Sequence, residues 1–340
     1  METVFDINTV QDIEAIIRQP EIYTLCKQSE RIDRVLINAG TCSNIETIYK
    51  TLENPSEEIT ILAINKCDHS KVHEFYKLIK NPSENIKFAA INKCRYELTL
   101  LFKLFDFPSD EIKLAIINAG SKTTSMSTII KLLKEIDNLN DEMLITAIEN
   151  YEGDNIIKLV ESFKNLSDEV ILRVINKCEN CSELFTLIDK TNKKLTLAIV
   201  KKYRGFNIIK LFELILNENN GTLGRYNITD DEDEEIILNV IEKCPTNKVI
   251  DVYKSIINPT NKIKLQAMEK CIETHLLELY NLINDKDDEI KIQIIIKCPV
   301  ECLLELYNLM ESPSDEIKIQ VINRWPDSNI REICILISSS

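Results

Sequence analysis

Residues 312–324 read Ser-Pro-Ser-Asp-Glu-Ile-Lys-Ile-Gln-Val-Ile-Asn-Arg, and this segment decides the fold because close copies of it recur along the chain. Successive copies are spaced by 27 residues from Cys67 to Cys94, and again from Cys244 through Cys271 to Cys298. A fixed period of this length is typical of a solenoid built from helical repeats. The other copies begin at Asn54, Asn81, Phe107, Asn165, Asn258 and Asp285.

Each copy predicts a first helix, called here the A helix. We expect it to begin at an Asn or Ser cap, with Pro at the first helical position and an acid two residues later, as in Asn81-Pro82-Ser83-Glu84. Pro suits a position whose amide has no helical partner, and the acid faces the positive end of the helix dipole. Apolar residues then cover more than half of the helix, which predicts that each A helix packs between neighbours.

A second, B helix follows in each repeat. Its apolar residues fall at i, i+3, i+4 and i+7, which predicts one buried face and one wet face. Neither helix can bury its apolar residues alone, so the repeats must stack on one another. The chain has only 6 Gly and 9 Pro and no alternating strand pattern. Together these features predict an all-α solenoid of about eleven two-helix repeats.

The repeat pattern also divides the chain into segments. Residues 1–29 do not fit the repeat and are predicted to form an N-terminal helical cap, whereas residues 30–340 carry the repeats. An insertion at about residues 216–234 contains Gly221 and Gly224 and ends in an acidic run from Asp230 to Glu235. Because the insertion is polar and charged, we expect a mobile loop there.

The formal net charge of −14 limits the classes of partner. Phosphate backbones and anionic membrane surfaces repel such a chain, so neither nucleic acid nor a membrane is an expected partner. No apolar run approaches the roughly 20 residues that span a bilayer, and the start of the chain lacks a signal-peptide layout. These features predict a soluble, cytoplasmic protein.

The chain has 11 cysteines, and six of them occupy one place at the end of the A helix. Other repeats carry Gly120, Tyr151, Tyr203 or Trp325 at that place. A position shared by Cys, Gly and large aromatic residues indicates packing and not ligand binding. Cysteines of successive repeats should lie about 10 Å apart, which is too far for a disulfide. We expect buried free thiols. The six are Cys67, Cys94, Cys178, Cys244, Cys271 and Cys298.

Two positions earlier, six repeats carry an asparagine, at Asn38, Asn65, Asn92, Asn118, Asn176 and Asn323. Near a helix end, such a side chain can satisfy the carbonyl groups that have no intrahelical partner, or bridge to the next repeat. We therefore expect these asparagines to form a structural ladder.

The order of features resembles HEAT-like α-solenoids and, among them, the variant leucine-rich repeat. The residues that carry the resemblance are the corner Lys297-Cys298-Pro299 and the segment Leu303-Leu304-Glu305-Leu306. The resemblance implies a right-handed superhelix of helix pairs. The chain departs from the variant family in its longer, 27-residue unit and in lacking an N-terminal cysteine cluster.

Some HEAT-like proteins are enzymes, and the alternative function is an enzyme or metal-dependent modifier with a site in the groove near residues 216–234. The metal signals are weak. His73-Glu74 is a lone pair on a helix face expected to be exposed, and Cys178-Glu179-Asn180-Cys181 and Cys67-Asp68-His69 lack a second pair of ligands nearby. We therefore expect no catalytic residue, metal or other cofactor.

The favoured function is an interaction scaffold. In HEAT-like stacks the wet face of the second helices lines the concave side, where it binds a peptide or protein. On this face the middle repeats are basic and the last third is acidic, which predicts an acidic partner segment followed by a basic one. The predicted partner-binding residues are Lys77, Lys103, Lys131, Lys134, Lys158, Lys210, Glu278, Asn281, Glu305 and Asn308.

The end of the chain predicts a second contact. The terminal repeat is as apolar as the internal copies, and Ile330, Ile333, Leu336 and Ile337 follow it with only three serines behind them. Uncovered apolar surface usually marks an interface. We expect contact through residues 312–337, with a second copy in a homodimer or with a partner domain.

Overall fold

The computed structural model describes residues 30–151, 153–179, 182–189, 191–218, 224–284, 286–310 and 312–325. These residues fall into two compact units, divided between Cys181 and Ser182. Each unit is described by itself. The predicted N-terminal cap at residues 1–29 and the terminal isoleucines Ile330 and Ile337 lie outside the described residues.

The first unit alternates A and B helices in the predicted order. Each A helix packs against the A helix of the next repeat, and from Val72–Tyr76 onward each B helix packs against the next B helix. Its A helices are Glu30–Ala39, Glu57–Lys66, Glu84–Lys93, Asp110–Thr123, Asp141–Glu149 and Asp168–Lys177. Its B helices are Ile45–Thr51, Val72–Tyr76, Leu98–Phe102, Met126–Lys134 and Ile157–Ser162, the last preceded by the 3₁₀ turn Asp154–Ile156.

The second unit also alternates B and A helices along the chain. Its A helices are Lys193–Lys202, Asp231–Lys243, Asn261–Lys270, Asp288–Lys297 and Asp315–Arg324, again packed in chain order. Its B helices are Ser182–Leu187, Phe206–Glu218, Val249–Lys254, Leu276–Leu282 and Val300–Asn308. The turns Thr246–Lys248 and Glu273–His275 are 3₁₀, and the strands Tyr226–Asn227 and Ile256–Ile257 pair in parallel.

The predicted all-α solenoid is therefore confirmed as a fold class: most of the described residues lie in helices, the described strands have two residues each, and neighbouring helices pack in sequence order. The handedness and the number of repeats stay predictions. Several B helices are short, with only 5 residues in Val72–Tyr76. They are held by packing, because an isolated helix of this length is unstable in water.

The start of the A helix differs from the prediction. The Ser83 hydroxyl accepts the Ile86 N–H at 3.3 Å, so Ser83 is the cap and Pro82 precedes it. Asn81 adopts the left-handed region with φ 49°. The placement of Pro at the first helical position was wrong because Ser is itself a preferred cap and Asn is one of few residues that tolerate this backbone conformation. The same positive φ recurs at Asn54, Phe107, Asn138, Asn165, Asn258 and Ser312.

The acidic run in the insertion also differs from the prediction. Residues 231–235 are not loop but the first turns of helix Asp231–Lys243, with Asp230 as its cap accepting the Asp233 N–H at 3.0 Å. Four acids in the first turn favour helix because they face the positive end of its dipole. Residues 216–218 likewise complete helix Phe206–Glu218, and residues 219–223 lie outside the described part.

Cationic side chains join the ends of several A helices to the repeat before. Lys297 Nζ donates to the carbonyl oxygens of Met268 at 2.9 Å, Glu269, and Cys271 at 2.8 Å, which lie at the end of the preceding A helix. Equivalent bonds run from Lys66, Lys177, Lys243 and Arg324 to the repeat before each. All six asparagines of the predicted ladder are exposed. At Asn65, Asn176 and Asn323 the cation that follows makes the bridge. At Asn118 the asparagine itself contributes, because its Oδ1 accepts a hydrogen bond from Asn150 Nδ2 of the next repeat at 3.4 Å.

We expect Lys297→Met to lower the free energy of unfolding by about 2 kcal/mol, because carbonyl groups at the end of helix Asn261–Lys270 lose a charged donor. Urea unfolding followed by circular dichroism measures this. Lys291→Met is the control, since Lys291 lies on the same helix and pairs with exposed Asp288 at 3.7 Å. Equal effects of both substitutions would show that the hydrogen bonds from Lys297 to the carbonyl groups stabilise the fold no more than an exposed ion pair does.

Candidate binding surface on the B helices

Each B helix of the first unit has two positions whose side chains point to solvent. In Val72–Tyr76, the side chains of Val72, Phe75 and Tyr76 are buried, whereas Glu74 and the following Lys77 are exposed. The other B helices repeat this division, because the i, i+3, i+4 spacing turns one face toward the A helices. Since successive B helices pack side by side, the outward places form one continuous surface.

The predicted lysines lie on this surface. All five that fall in the first unit are exposed, and they come from four successive B helices or the residues directly after them. We call them the basic strip: Lys77, Lys103, Lys131, Lys134 and Lys158. Exposed Leu100, with 48% of its surface accessible, lies three residues before Lys103 and so on the same side of its helix. The strip therefore offers an apolar side chain next to a cation.

The charges of the basic strip are only partly paired. Lys103 Nζ lies 2.9 Å from Glu135 Oε1, and Lys158 Nζ donates to Asn155 Oδ1 at 3.2 Å. Both members of the Lys103–Glu135 pair are about half exposed. An exposed ion pair of this kind contributes at most about 1 kcal/mol, so a partner carboxylate can replace Glu135 at little cost.

The remaining predicted residues lie in the second unit. Lys210, Glu278, Asn281, Glu305 and Asn308 are all exposed. Glu278 Oε1 lies 2.6 Å from Lys254 Nζ, so part of the acidic character of this surface is neutralised within the unit. Binding of a partner to these residues stays a prediction.

His73 is placed differently from the expectation. Its side chain is 12% exposed, and Nδ1 lies 2.5 Å from Oε2 of Glu97 on the next repeat, so its partner is not Glu74. The pair joins two repeats, which a sequence neighbour could not reveal. Among the described residues no group of three or more His, Cys, Asp and Glu side chains is arranged to hold a metal ion.

The six cysteines of the packing position are buried, with between 0% and 3% of their surface exposed. Burial raises the pKa of the Cys67, Cys244 and Cys298 thiols to about 11. A thiol must lose its proton to act as a nucleophile or metal ligand, so these cysteines stay protonated and unreactive at neutral pH. The expectation of buried free thiols holds at each of them.

A buried polar cluster beside the insertion was not predicted. The Asp233 carboxylate accepts hydrogen bonds from Tyr226 Oη at 2.8 Å and from Thr229 N at 2.9 Å. Lys193 Nζ lies 2.9 Å from Asp233 and 2.5 Å from Asp230. The repeat of Lys193 is the one that lacks the Pro and acid at its start. The ion pairs with Asp230 and Asp233 explain why the A helix of this repeat begins with a lysine.

Comparison with known proteins identifies no relative of this chain. No family model, curated protein or solved structure matches the chain. Within the described ranges, no helix has both the length and the apolar composition needed to cross a membrane.

Proposed function

We propose that the chain is a HEAT-like scaffold that binds a protein or peptide partner on the wet face of its B helices, with an acidic segment of the partner on the basic strip. The observation that carries the proposal is the contrast in charge. A chain of net charge −14 places five exposed lysines on one surface of the first unit. Complementary charge of this kind sets the orientation and the association rate of a complex.

The geometry supports a binding surface rather than a reaction site. The lysines project from rigid helices that are packed side by side, so the partner meets a preformed array. In the described part of the insertion, Lys193 pairs with Asp230 and Asp233, and the Tyr226 hydroxyl donates to Asp233. Those groups are therefore occupied in structural contacts, and the scaffold is favoured over the enzyme.

The test measures binding of a fluorescein-labelled peptide of ten glutamates to the full chain. Reversing Lys131, Lys134 and Lys158 together to Glu should weaken binding at least roughly tenfold and flatten its dependence on salt concentration. The control carries the same change of charge on exposed A-helix residues, at Arg31, Lys122 and Arg173.

Two outcomes contradict the proposal. One is unchanged binding after reversal of the three B-helix lysines. The other is an equal loss in the control, because the peptide would then respond to net charge and not to the strip.

A further inference from the structure

A pocket of about 500 Å³ opens beside the basic strip, at the corner between helix Leu98–Phe102 and helix Asp110–Thr123. Buried Phe102 and Phe105 line it, and their ring centroids lie 6.2 Å apart. Lys103 of the strip also lines it. The pocket is therefore continuous with the surface proposed to bind a partner, and its apolar lining suits the stem of a side chain.

Phe107 at this pocket is the bulkiest residue at a place where most repeats carry Asn and one carries Ser312. It adopts φ 45°, at the place where five repeats carry Asn in the same left-handed conformation. A bulky residue is strained there. Its side chain is also 99% exposed. The free chain therefore bears two costs that Asn would remove, and strain of this kind clusters at sites that bind ligands.

The charges that line the pocket favour a cation. Lys103 is paired with Glu135 at 2.9 Å, and Lys113 with Asp110 at 2.8 Å. Two further carboxylates, Asp106 and Asp137, are exposed at the pocket, and the described residues supply no ion pair for either. The net charge left for an occupant is therefore negative.

We propose that this pocket binds an arginine side chain of the partner. The aliphatic stem packs against Phe102 and Phe105, and the guanidinium stacks on the Phe107 ring while it faces Asp106 and Asp137. Arginine suits the site better than lysine because its planar group stacks on aromatic faces and donates to two carboxylates at once. The inference deepens the proposed function: the partner offers an arginine next to its acidic segment.

The test uses the full chain with 4-fluorophenylalanine in place of phenylalanine and follows it by fluorine NMR. The Phe107 resonance is identified by its loss in Phe107→Asn. N-acetyl-arginine methylamide should shift this resonance in a saturable way. N-acetyl-citrulline methylamide, which has the same shape without the charge, should bind roughly tenfold more weakly.

Asp106→Asn with Asp137→Asn should weaken the arginine compound by about tenfold. The control, Asp141→Asn with Glu142→Gln, removes two exposed acids from the next A helix and should leave binding unchanged. Equal binding of the citrulline compound, or equal binding by the Asp106 and Asp137 double variant, overturns the inference. A Phe107 resonance that does not move with the arginine compound also overturns it.

Phe107→Asn provides a second readout. It should raise the midpoint of thermal unfolding by about 2 °C, since Asn accepts the left-handed backbone, while it abolishes the stacking contact. A fall in the midpoint would show that Phe107 is a structural residue and would overturn its assignment. Binding of the arginine compound without binding of the glutamate peptide would leave this inference standing and contradict the proposed acidic partner; the reverse result would do the opposite.

Discussion

Replacing Asp233 by Ala should lower the free energy of unfolding of the second unit by about 3 kcal/mol. The Asp233 side chain is 5% exposed and receives the Tyr226 hydroxyl, the Thr229 amide and the Lys193 ammonium. Removing the carboxylate leaves the Tyr226 hydroxyl and the Thr229 amide without their acceptor in a place that water reaches poorly. Unsatisfied buried donors are costly, and Lys193 keeps only its contact with Asp230.

Urea unfolding of the full chain measures the loss, and hydrogen exchange of the amides in helix Asp231–Lys243 locates it. Asp231→Ala is the matched control, because Asp231 is an exposed acid in the first turn of the same helix. Its effect should stay within about 0.5 kcal/mol. A loss for Asp233→Ala as small as that for Asp231→Ala would show that the cluster is not needed for the stability of this unit.

The same cluster predicts a dependence on pH. Burial alone would raise the pKa of Asp233, but the hydrogen bonds from Lys193, Thr229 and Tyr226 outweigh it and hold that pKa below its usual value. The hydrogen bond from Lys193 likewise lowers the pKa of Asp230. A group with a lowered folded pKa stabilises the fold above its unfolded pKa, about 3.9 for aspartate, and loses that effect as the pH falls through the folded value.

The stability difference between the unmodified chain and Asp233→Asn should therefore be constant near neutral pH and shrink as the pH falls below about 4. Urea unfolding at a series of pH values shows this directly. A difference that grows on acidification would mean that the Asp233 pKa is raised in the folded chain, contrary to the hydrogen bonds that the carboxylate accepts.

The sequence predicts the helices well because their periodicity is local. Residues spaced at i, i+3 and i+4 share the buried face wherever the helix forms, so Val72, Phe75 and Tyr76 are buried and Lys77 is exposed to solvent. The residue at which the A helix begins is harder to predict from the sequence. Asn81 and Ser83 are both good caps, and only the backbone shows that Asn81 takes the left-handed turn and Ser83 the cap.

The contacts between repeats could not be predicted in the same way. Lys193 and Asp233 lie 40 positions apart in the chain, with most of the insertion between them, and neither residue type indicates the other as its partner. Lys297 reaches back to carbonyl groups that every residue possesses. A signal was present in both cases. Lysine recurs directly before the cysteine of the packing position, and Lys193 replaces the acid that most A helices carry.

The packing position at the end of the A helix gives a further prediction, which concerns the stability of the variant Gly120→Cys. Because six repeats carry Cys at this place, the repeat pattern suggests that Cys would be accepted, and glycine inside a helix is unfavourable by nearly 1 kcal/mol. The structure indicates the opposite. A Cβ at Gly120 would lie 2.6 Å from Ile129 Cδ1, and Ile129 is buried, with 1% of its surface exposed.

Overpacking of a filled core outweighs the gain in helix propensity, so Gly120→Cys should lower the free energy of unfolding by about 1 to 2 kcal/mol. Ile129→Val removes the atom in the way and alone costs about 1 kcal/mol. Because the smaller Val makes room for the new side chain, the double variant should lose less than the sum of the two single losses. Double-mutant analysis by urea unfolding measures that coupling. Strict additivity, or a Gly120→Cys variant more stable than the unmodified chain, would mean that Ile129 moves aside freely and that the repeat pattern, not the local contact, decides what this position accepts.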